Sequence, residues 1–540
     1  MAARVGDGRV GGDGEVEADM MNRREMMQAV GAGAAALAWA DGGANALARD
    51  GNEVDTWKPI RSSTGSAESI KRLPTTIRPK VDPADVLVPE GYELEALVVG
   101  LSFPTCMEFG DNGTLYIGEG GSTWPTRPAL PPRILSLTKD GKLGVLGAET
   151  FGGPRGMAYK DGQLYVMAKG GYTTRLVRFD TKTGDRKVVL DKFPDGGWHE
   201  PGGPVINPKD GLLYYAQGTV TLYGAVDPEG FSVDIAKQPK AHDVPGADVT
   251  LTGNNVWSRN PTRSWPVYAE TGPYKPYGVP AKKGEVIKGE KFCNGAVWRS
   301  KADGTDVELL AWGIRNPFGM AFSEDGELYV SDNDFEEKGD RAVGEDPDAI
   351  WHIRDASKPH GSVTEPEWFG FPDIAHDGLP VWDEKHRPNR GQPAQPFLVN
   401  PPKWAGPAAA LIEPHTCECR MDFCRSDTFG HRGDLFLAQF GTYAPLNTSR
   451  DEALNRGFSV ARVDVRTGKV TPFLRNKQPG PASYHPGAGG LERPVDCKFS
   501  PDGRSLYILD FGVNKALRET VTVFGHTGVL WRLSKKGATA

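Results

Sequence analysis

Asp325-Gly326-Glu327-Leu328-Tyr329-Val330 reads as a tight turn feeding a short strand. Asp-Gly is a hairpin signal, and the aromatic and β-branched residues after it suit a pleated surface. The phrase recurs at Gly113-Thr114-Leu115-Tyr116-Ile117, Gly162-Gln163-Leu164-Tyr165-Val166, Gly211-Leu212-Leu213-Tyr214-Tyr215, Gly433-Asp434-Leu435-Phe436-Leu437 and Gly503-Arg504-Ser505-Leu506-Tyr507-Ile508. Asp-Gly or Asn-Gly opens five of the six copies, which makes chance composition a poor explanation. A further strand follows each copy, at Arg133–Leu137, Leu176–Asp180, Ala296–Arg299, Ala349–Ile353, Val460–Asp464 and Val529–Leu533. Two hairpins per unit make a four-stranded sheet, and radial repetition of such sheets is a β-propeller.

The expected fold class is therefore all-β: a six-bladed β-propeller of four-stranded antiparallel blades over residues 86–536. In this reading the Gly-x-Leu-aromatic strand is the first of each blade. Leu115, Leu164 and Leu213 stand 49 residues apart, close to the ~40–50 residues of one blade. Wider gaps later place insertions at about 219–290 and 355–420. Both are rich in Pro, Gly and polar residues and read as long surface loops that could roof a site.

Composition agrees. With 68 Gly and 43 Pro in 540 residues, a helix-rich fold is excluded, because both residues weaken helix interiors. With 13 Trp, 15 Tyr and 22 Phe, disorder is excluded too. A net charge of −7 argues against a broad nucleic-acid surface. No run approaches the ~18 apolar residues of a membrane span, so no stable membrane insertion of the mature chain is expected. No Gly-x-Gly-x-x-Gly leads from a strand into a helix, which argues against a dinucleotide enzyme.

Residues 1–48 read as a twin-arginine export signal. Arg23-Arg24 precedes the Ala-rich stretch 29–40, and Ala38-Trp39-Ala40 and Ala46-Leu47-Ala48 are candidate cleavage sites. Residues 49–85 read as a linker. The expected location is periplasmic or secreted, where disulfides are allowed. His415-Thr416-Cys417-Glu418-Cys419 with Cys424 lacks the paired Cys-x-x-Cys knuckles of a metal cluster. Disulfides or buried thiols are the simpler reading.

The segments just before the repeated strands carry the candidate chemistry. Arg155, Arg315, Arg420 and Arg493 recur at about the same blade position, and His199 takes it in the third. Cations converging on an axis are costly unless an anion pairs with them, and guanidinium forks fit planar carboxylates. The inferred ligand is a compact, planar polyanion. His199, in a Gly-rich turn, is the candidate proton acceptor from a hydroxyl. Asp332, Asp334 and Asp348 suit Ca²⁺, although a solvated acidic loop is an equally good reading.

Gly313-Ile314-Arg315-Asn316-Pro317-Phe318-Gly319 before Leu328-Tyr329-Val330 resembles the glucose/sorbosone dehydrogenase family. His199 before Gly202-Gly203, Asp348-Ala349-Ile350, Phe369-Gly370-Phe371-Pro372 and Glu492-Arg493-Pro494-Val495 match further segments of that family. The resemblance spans roughly residues 86–533 and is closer to sorbosone-type members. It implies a quinoprotein using pyrroloquinoline quinone (PQQ) with Ca²⁺ that oxidises a sugar or sugar-derived aldehyde and passes electrons to an unidentified acceptor. His199 would remove the hydroxyl proton. Arg315 with Ca²⁺ would stabilise the charge on the quinone oxygen. Arg315, Asn316, Arg493, Arg155 and Arg420 would hold the cofactor, and Asp332, Asp334 and Asp348 the metal. The chain departs from the soluble glucose enzymes in a longer 332–348 segment, in Leu491 where they carry another Arg, and in having no placed cofactor Lys. Two rival readings are a Ca²⁺-dependent propeller lactonase and a non-catalytic binding propeller.

Overall fold

A computed structural model describes residues 80–537, apart from 123–125, 128–130, 149–151, 229–234, 236–237, 261–266 and a few shorter breaks, plus two upstream backbone strands, Trp57–Pro59 and Lys71–Arg72. The export segment 1–48 and most of the linker lie outside the described residues. Among the described residues, regular structure is β-strand with a few short 3-10 turns and no α-helix.

Among the described residues, six of the nine sheets are built on four antiparallel strands; four follow chain order, and the last two also take strands from the N-terminal region. The fourth is representative. Its strands are Pro317–Phe322, Leu328–Asp332, Asp348–Ile353 and Ala410–Ile412, paired in that order. The Gly-x-Leu-aromatic strand is thus the second of its sheet, which corrects its expected place as the first. The true first strands are Cys106–Phe109, Gly153–Lys160, Pro201–Ile206, Pro317–Phe322, Glu418–Phe423 and Pro494–Phe499. Five of the six carry a bulge, as between Pro154 and Gly156 or between Glu418 and Met421. A bulge breaks the period of two, and most of these residues are buried on both faces, so no alternation is visible in sequence.

Each first strand packs against the next, and the sixth packs against the first. The approach is backbone to backbone. A Cβ on Gly156, Gly202 or Gly319 would overlap the carbonyl oxygen of Gly203, Pro317 or Cys419 on the neighbouring first strand.

The sixth sheet draws on both ends of the chain. Tyr92–Leu101 is its outer strand and pairs antiparallel with Gly528–Lys535. The strand alternates as its sequence demands: Tyr92, Leu94, Ala96 and Val98 face the core, and Glu93 and Glu95 face outward. Apolar residues fill the spaces between sheets, and Trp298, Trp351 and Trp531 are fully buried at equivalent third-strand positions.

The two insertions are not solvated loops. Val249–Leu251 of the first pairs with Val286–Ile287 and with Leu398–Val399 of the second. Leu222, Tyr223 and Leu251 share a core with Phe371, Val381 and Phe397. The buried Arg341–Asp373 ion pair (2.8 Å) adds to this, since Arg341 also donates to the Tyr223 and Pro372 carbonyls. The stretch 355–420 also contains Ala410–Ile412, the outer strand of sheet four, and Glu367–Trp368, which extends sheet three in parallel. Strands this short show no periodicity, and their partners are remote in sequence. No helix among the described residues is long and apolar enough to cross a membrane.

Candidate functional site

In an antiparallel hairpin, the start of one strand lies beside the end of its partner. The starts of the first strands and the ends of the second strands therefore meet at one end of the sheets. A cleft opens there, lined by His199, Arg315, Asn316 and Arg155 from the starts. Asn333, Asp334, Phe440, Tyr443 and Phe511, just past second strands, complete much of the wall.

His199 is 3% exposed. Its Nδ1 lies 3.0 Å from the Thr219 carbonyl oxygen and 2.7 Å from Thr219 Oγ1. That hydroxyl is 2.7 Å from the Thr221 carbonyl, to which it donates. The arrangement assigns the ring proton to Nδ1, which donates to the Thr219 carbonyl and leaves the Nε2 lone pair bare. Nε2 is buried and has no hydrogen-bond partner among the described residues. Burial, then the Arg315 charge, hold the imidazole well below its usual pKa, so it is neutral at physiological pH. Thr219 also ties His199 to Arg315, because its N–H donates to the Arg315 carbonyl at 2.9 Å.

Arg315 is 2% exposed; its Nε donates to the Leu222 carbonyl at 2.9 Å. Its Nη2 stands 3.7 Å from Glu336 Oε1 and makes no hydrogen bond. Asn316 donates from Nδ2 to Asn333 Oδ1 at 2.6 Å, and its own Oδ1 is left without a partner. Two donor-bearing side chains and a basic nitrogen thus share one cleft.

The other expected arginines fare differently. Arg155 lines the cleft, but its Nε donates to Glu200 at 2.7 Å. Lys169, its side chain fully buried, stands 3.5 Å from the same carboxylate and donates to the Gly197 and His199 carbonyls. Against the burial that would raise it, Arg155 and Lys169 hold the Glu200 carboxyl below its usual pKa. Arg420 and Arg493 are not among the lining groups. Arg420 lies over the Phe318 ring (5.0 Å). Arg493 donates to the Phe440, Gly441 and Thr442 carbonyls and is boxed by Tyr443, Phe458 and Phe440, with guanidinium-to-ring distances of 4.4, 4.9 and 5.0 Å. It shapes the loop that forms one wall. The expected convergence of four arginines is thus, in the cleft itself, a convergence of two.

The acidic trio does not form a cation site. Asp332 accepts the Arg315 and Asn316 peptide N–H groups (3.2 and 2.6 Å) and Trp351 Nε1 (3.0 Å), and it faces His376 Nε2 at 2.8 Å. Asp348 accepts from the Asp334, Thr416 and Cys417 peptides and from Thr416 Oγ1. Asp334 faces His415 Nδ1 at 2.5 Å. Among the described residues, no group of three or more His, Cys, Asp or Glu is disposed to hold a metal ion. Asp332 and Asp348 spend their oxygens on backbone N–H groups, a role their spacing in sequence does not distinguish from ligation. All six cysteines are free thiols.

Glu200, Lys169, Asn333, Lys338, His415 and Tyr443 are site residues that the sequence reading missed. Asn333 and Tyr443 follow second strands, a position the hairpin geometry marks as readily as the one before first strands. Lys338 lines the cleft from within the charged run Glu336-Glu337-Lys338, which looks like a solvated loop in sequence.

No family model matches the chain, and no curated protein matches it. Solved structures do. The holo PQQ domain of pyranose dehydrogenase from Coprinopsis cinerea superposes with a TM-score of 0.50 at 14% identity, covering 86% of this chain and 98% of that one. The iodide structure of a Trichoderma reesei family AA12 carbohydrate-active enzyme gives 0.50 at 12% identity, covering 85% and 100%. The likeness is one of fold. At this identity it speaks for a shared all-β fold and leaves the chemistry to the cleft.

Proposed function

We propose that the chain is an exported quinoprotein oxidoreductase that takes hydride from a sugar or sugar-derived aldehyde, on a six-bladed propeller closed by its two chain ends. The observation that carries this reading is the neutral His199, its Nε2 without a hydrogen-bond partner, lining the same cleft as Arg315, whose Nη2 makes no hydrogen bond.

The residues present fit PQQ. A planar tricarboxylate needs cationic donors and flat apolar walls. Arg315 Nη2 is a buried donor without a hydrogen bond, and Lys338 supplies a second cation to the cleft, while Phe318, Phe440, Tyr443 and Phe511 line it with aromatic surface. When bound, PQQ supplies the hydride acceptor. Ca²⁺ does not fit the acidic trio, and no step here runs through a metal.

The chain's own residues do the rest. His199 Nε2 accepts the substrate hydroxyl proton as hydride leaves the carbon, with Thr219 fixing the ring's tautomer and direction. Arg315 holds a positive charge where negative charge develops. Burial keeps water from His199 until substrate arrives.

Two results test the reading. Adding PQQ to the purified protein is expected to give a saturable, stoichiometric absorbance change, bleached by part of a panel of aldoses and aldehydes. No change at PQQ well above the micromolar range would return the cleft to another anion. The acid limb of kcat/KM is expected well below pH 6.5. The base acts in its neutral form and its folded pKa is depressed, so activity is lost only as pH falls through that lowered value. A limb at or above 6.5 would mean that His199 is not the base.

A further inference from the structure

His376 comes from the second insertion, yet it reaches the turn that carries Arg315 and Asn316. Its Nε2 lies 2.8 Å from Asp332 Oδ2, and its Nδ1 is in close contact with Asp346 Oδ2. Its peptide N–H donates to Asp346 Oδ1 at 2.8 Å. Each ring nitrogen thus faces a carboxylate oxygen, so both carry protons and the ring is an imidazolium between two acids. The Trp351 and Phe335 rings enclose it, at 5.6 and 5.9 Å between centroids. His376, Asp332 and Asp346 are at most 4% exposed.

Asp332 is what the clasp acts on, since its two oxygens accept the peptide N–H groups of Arg315 and Asn316. The sixth sheet uses the same device: Asp510, ending its second strand, accepts the Glu492 and Arg493 peptides at 2.7 and 2.8 Å. Sheet four adds an imidazolium to it, delivered by an insertion. The first insertion contributes as well, because Leu222 holds Arg315 Nε. Both insertions therefore converge on Arg315, the first at its guanidinium and the second, through Asp332, at its peptide N–H.

We infer that His376 is a positioning residue: it locks Asp332 onto the Arg315–Asn316 turn and so couples the packed insertions to the geometry of the cleft. The inference rests on the proposed function only for what Arg315 binds.

Hydrogen–deuterium exchange on the full chain tests it without cofactor. His376→Gln is expected to speed exchange in the segment 313–317 about tenfold, as for one lost charge-assisted hydrogen bond. The segment 491–495, held by Asp510, serves as internal control and stays unchanged. His386→Gln removes another buried histidine of the same insertion, paired with Asp377 at 3.1 Å, and is expected to leave both segments as they were. Asp346→Asn keeps the imidazole and is the milder variant should His376→Gln fold poorly; it moves 313–317 in the same direction. Unchanged protection at 313–317, or equal acceleration of both segments, would overturn the inference. A PQQ titration of the same proteins separates the two readings. Weaker binding in His376→Gln but not His386→Gln supports positioning. If the parent binds no PQQ, the proposed function falls and the exchange result alone decides the clasp.

Discussion

His199→Gln is expected to lower turnover by about 10²–10⁴-fold, the usual contribution of a positioned general base, while leaving PQQ affinity unchanged. Gln can still donate an amide N–H to the Thr219 carbonyl, so the turn at 199–203 keeps its anchor. It offers no basic nitrogen to the cleft. The loss should therefore appear in kcat, with little change in the substrate KM, because the proton moves only in the transition state. Dye-linked steady-state kinetics beside the absorbance titration separates the two. A variant that retains parental turnover would show that the imidazole is structural.

Gly202→Ala is expected to destabilise the fold by about 3 kcal/mol or more, at the upper end of overpacking effects. Gly→Ala by itself stabilises by about 0.4–1 kcal/mol through the unfolded chain, so the sign is decided by space. At Gly202 the added methyl would overlap the Pro317 carbonyl oxygen, an atom of neighbouring backbone that no rotamer change can move. The third and fourth first strands would have to part, and the relation of His199 to Arg315 would change with them. Chemical denaturation gives the test: a midpoint at or above the parent's would mean that the first strands can separate without cost.

The second strands were legible because a Gly turn leads into the same Leu-aromatic-apolar triplet six times, and both signals are local, although these strands are buried on both faces. The first strands were not. At Pro154-Arg155-Gly156 and Pro317-Phe318-Gly319 both faces are buried and a bulge shifts the register, so neither period nor propensity marks them. The candidate site follows the same division. Arg315 and His199 could be picked out because a cation or His recurs at one blade position, and Asn316 because the Arg315-Asn316-Pro317 motif resembles a known family. Asn333 and Tyr443 follow second strands and reach the same end of the sheets only through hairpin pairing, which their local sequence does not signal. The acidic residues were left between a cation site and a solvated loop because Asp332 and Asp348 look alike in sequence in either role; in the fold both accept backbone N–H groups.

The sequence by itself determined an all-β chain of repeated hairpins with cations and one histidine gathered at equivalent turns. That information is local, carried by Asp-Gly turns and by the Leu-aromatic-apolar triplet that follows each of them. Only the tertiary structure decided which cations keep a free valence. Arg155 is matched by Glu200, Arg493 gives one nitrogen to three carbonyls away from the cleft lining, and Arg315 lines the cleft with an Nη2 that makes no hydrogen bond and stands 3.7 Å from Glu336. It also decided that the two insertions pack into one another and clasp Asp332 through His376. These outcomes depend on contacts between segments far apart in the chain, and the pairing of buried charges is settled by which partner the fold brings within hydrogen-bonding distance.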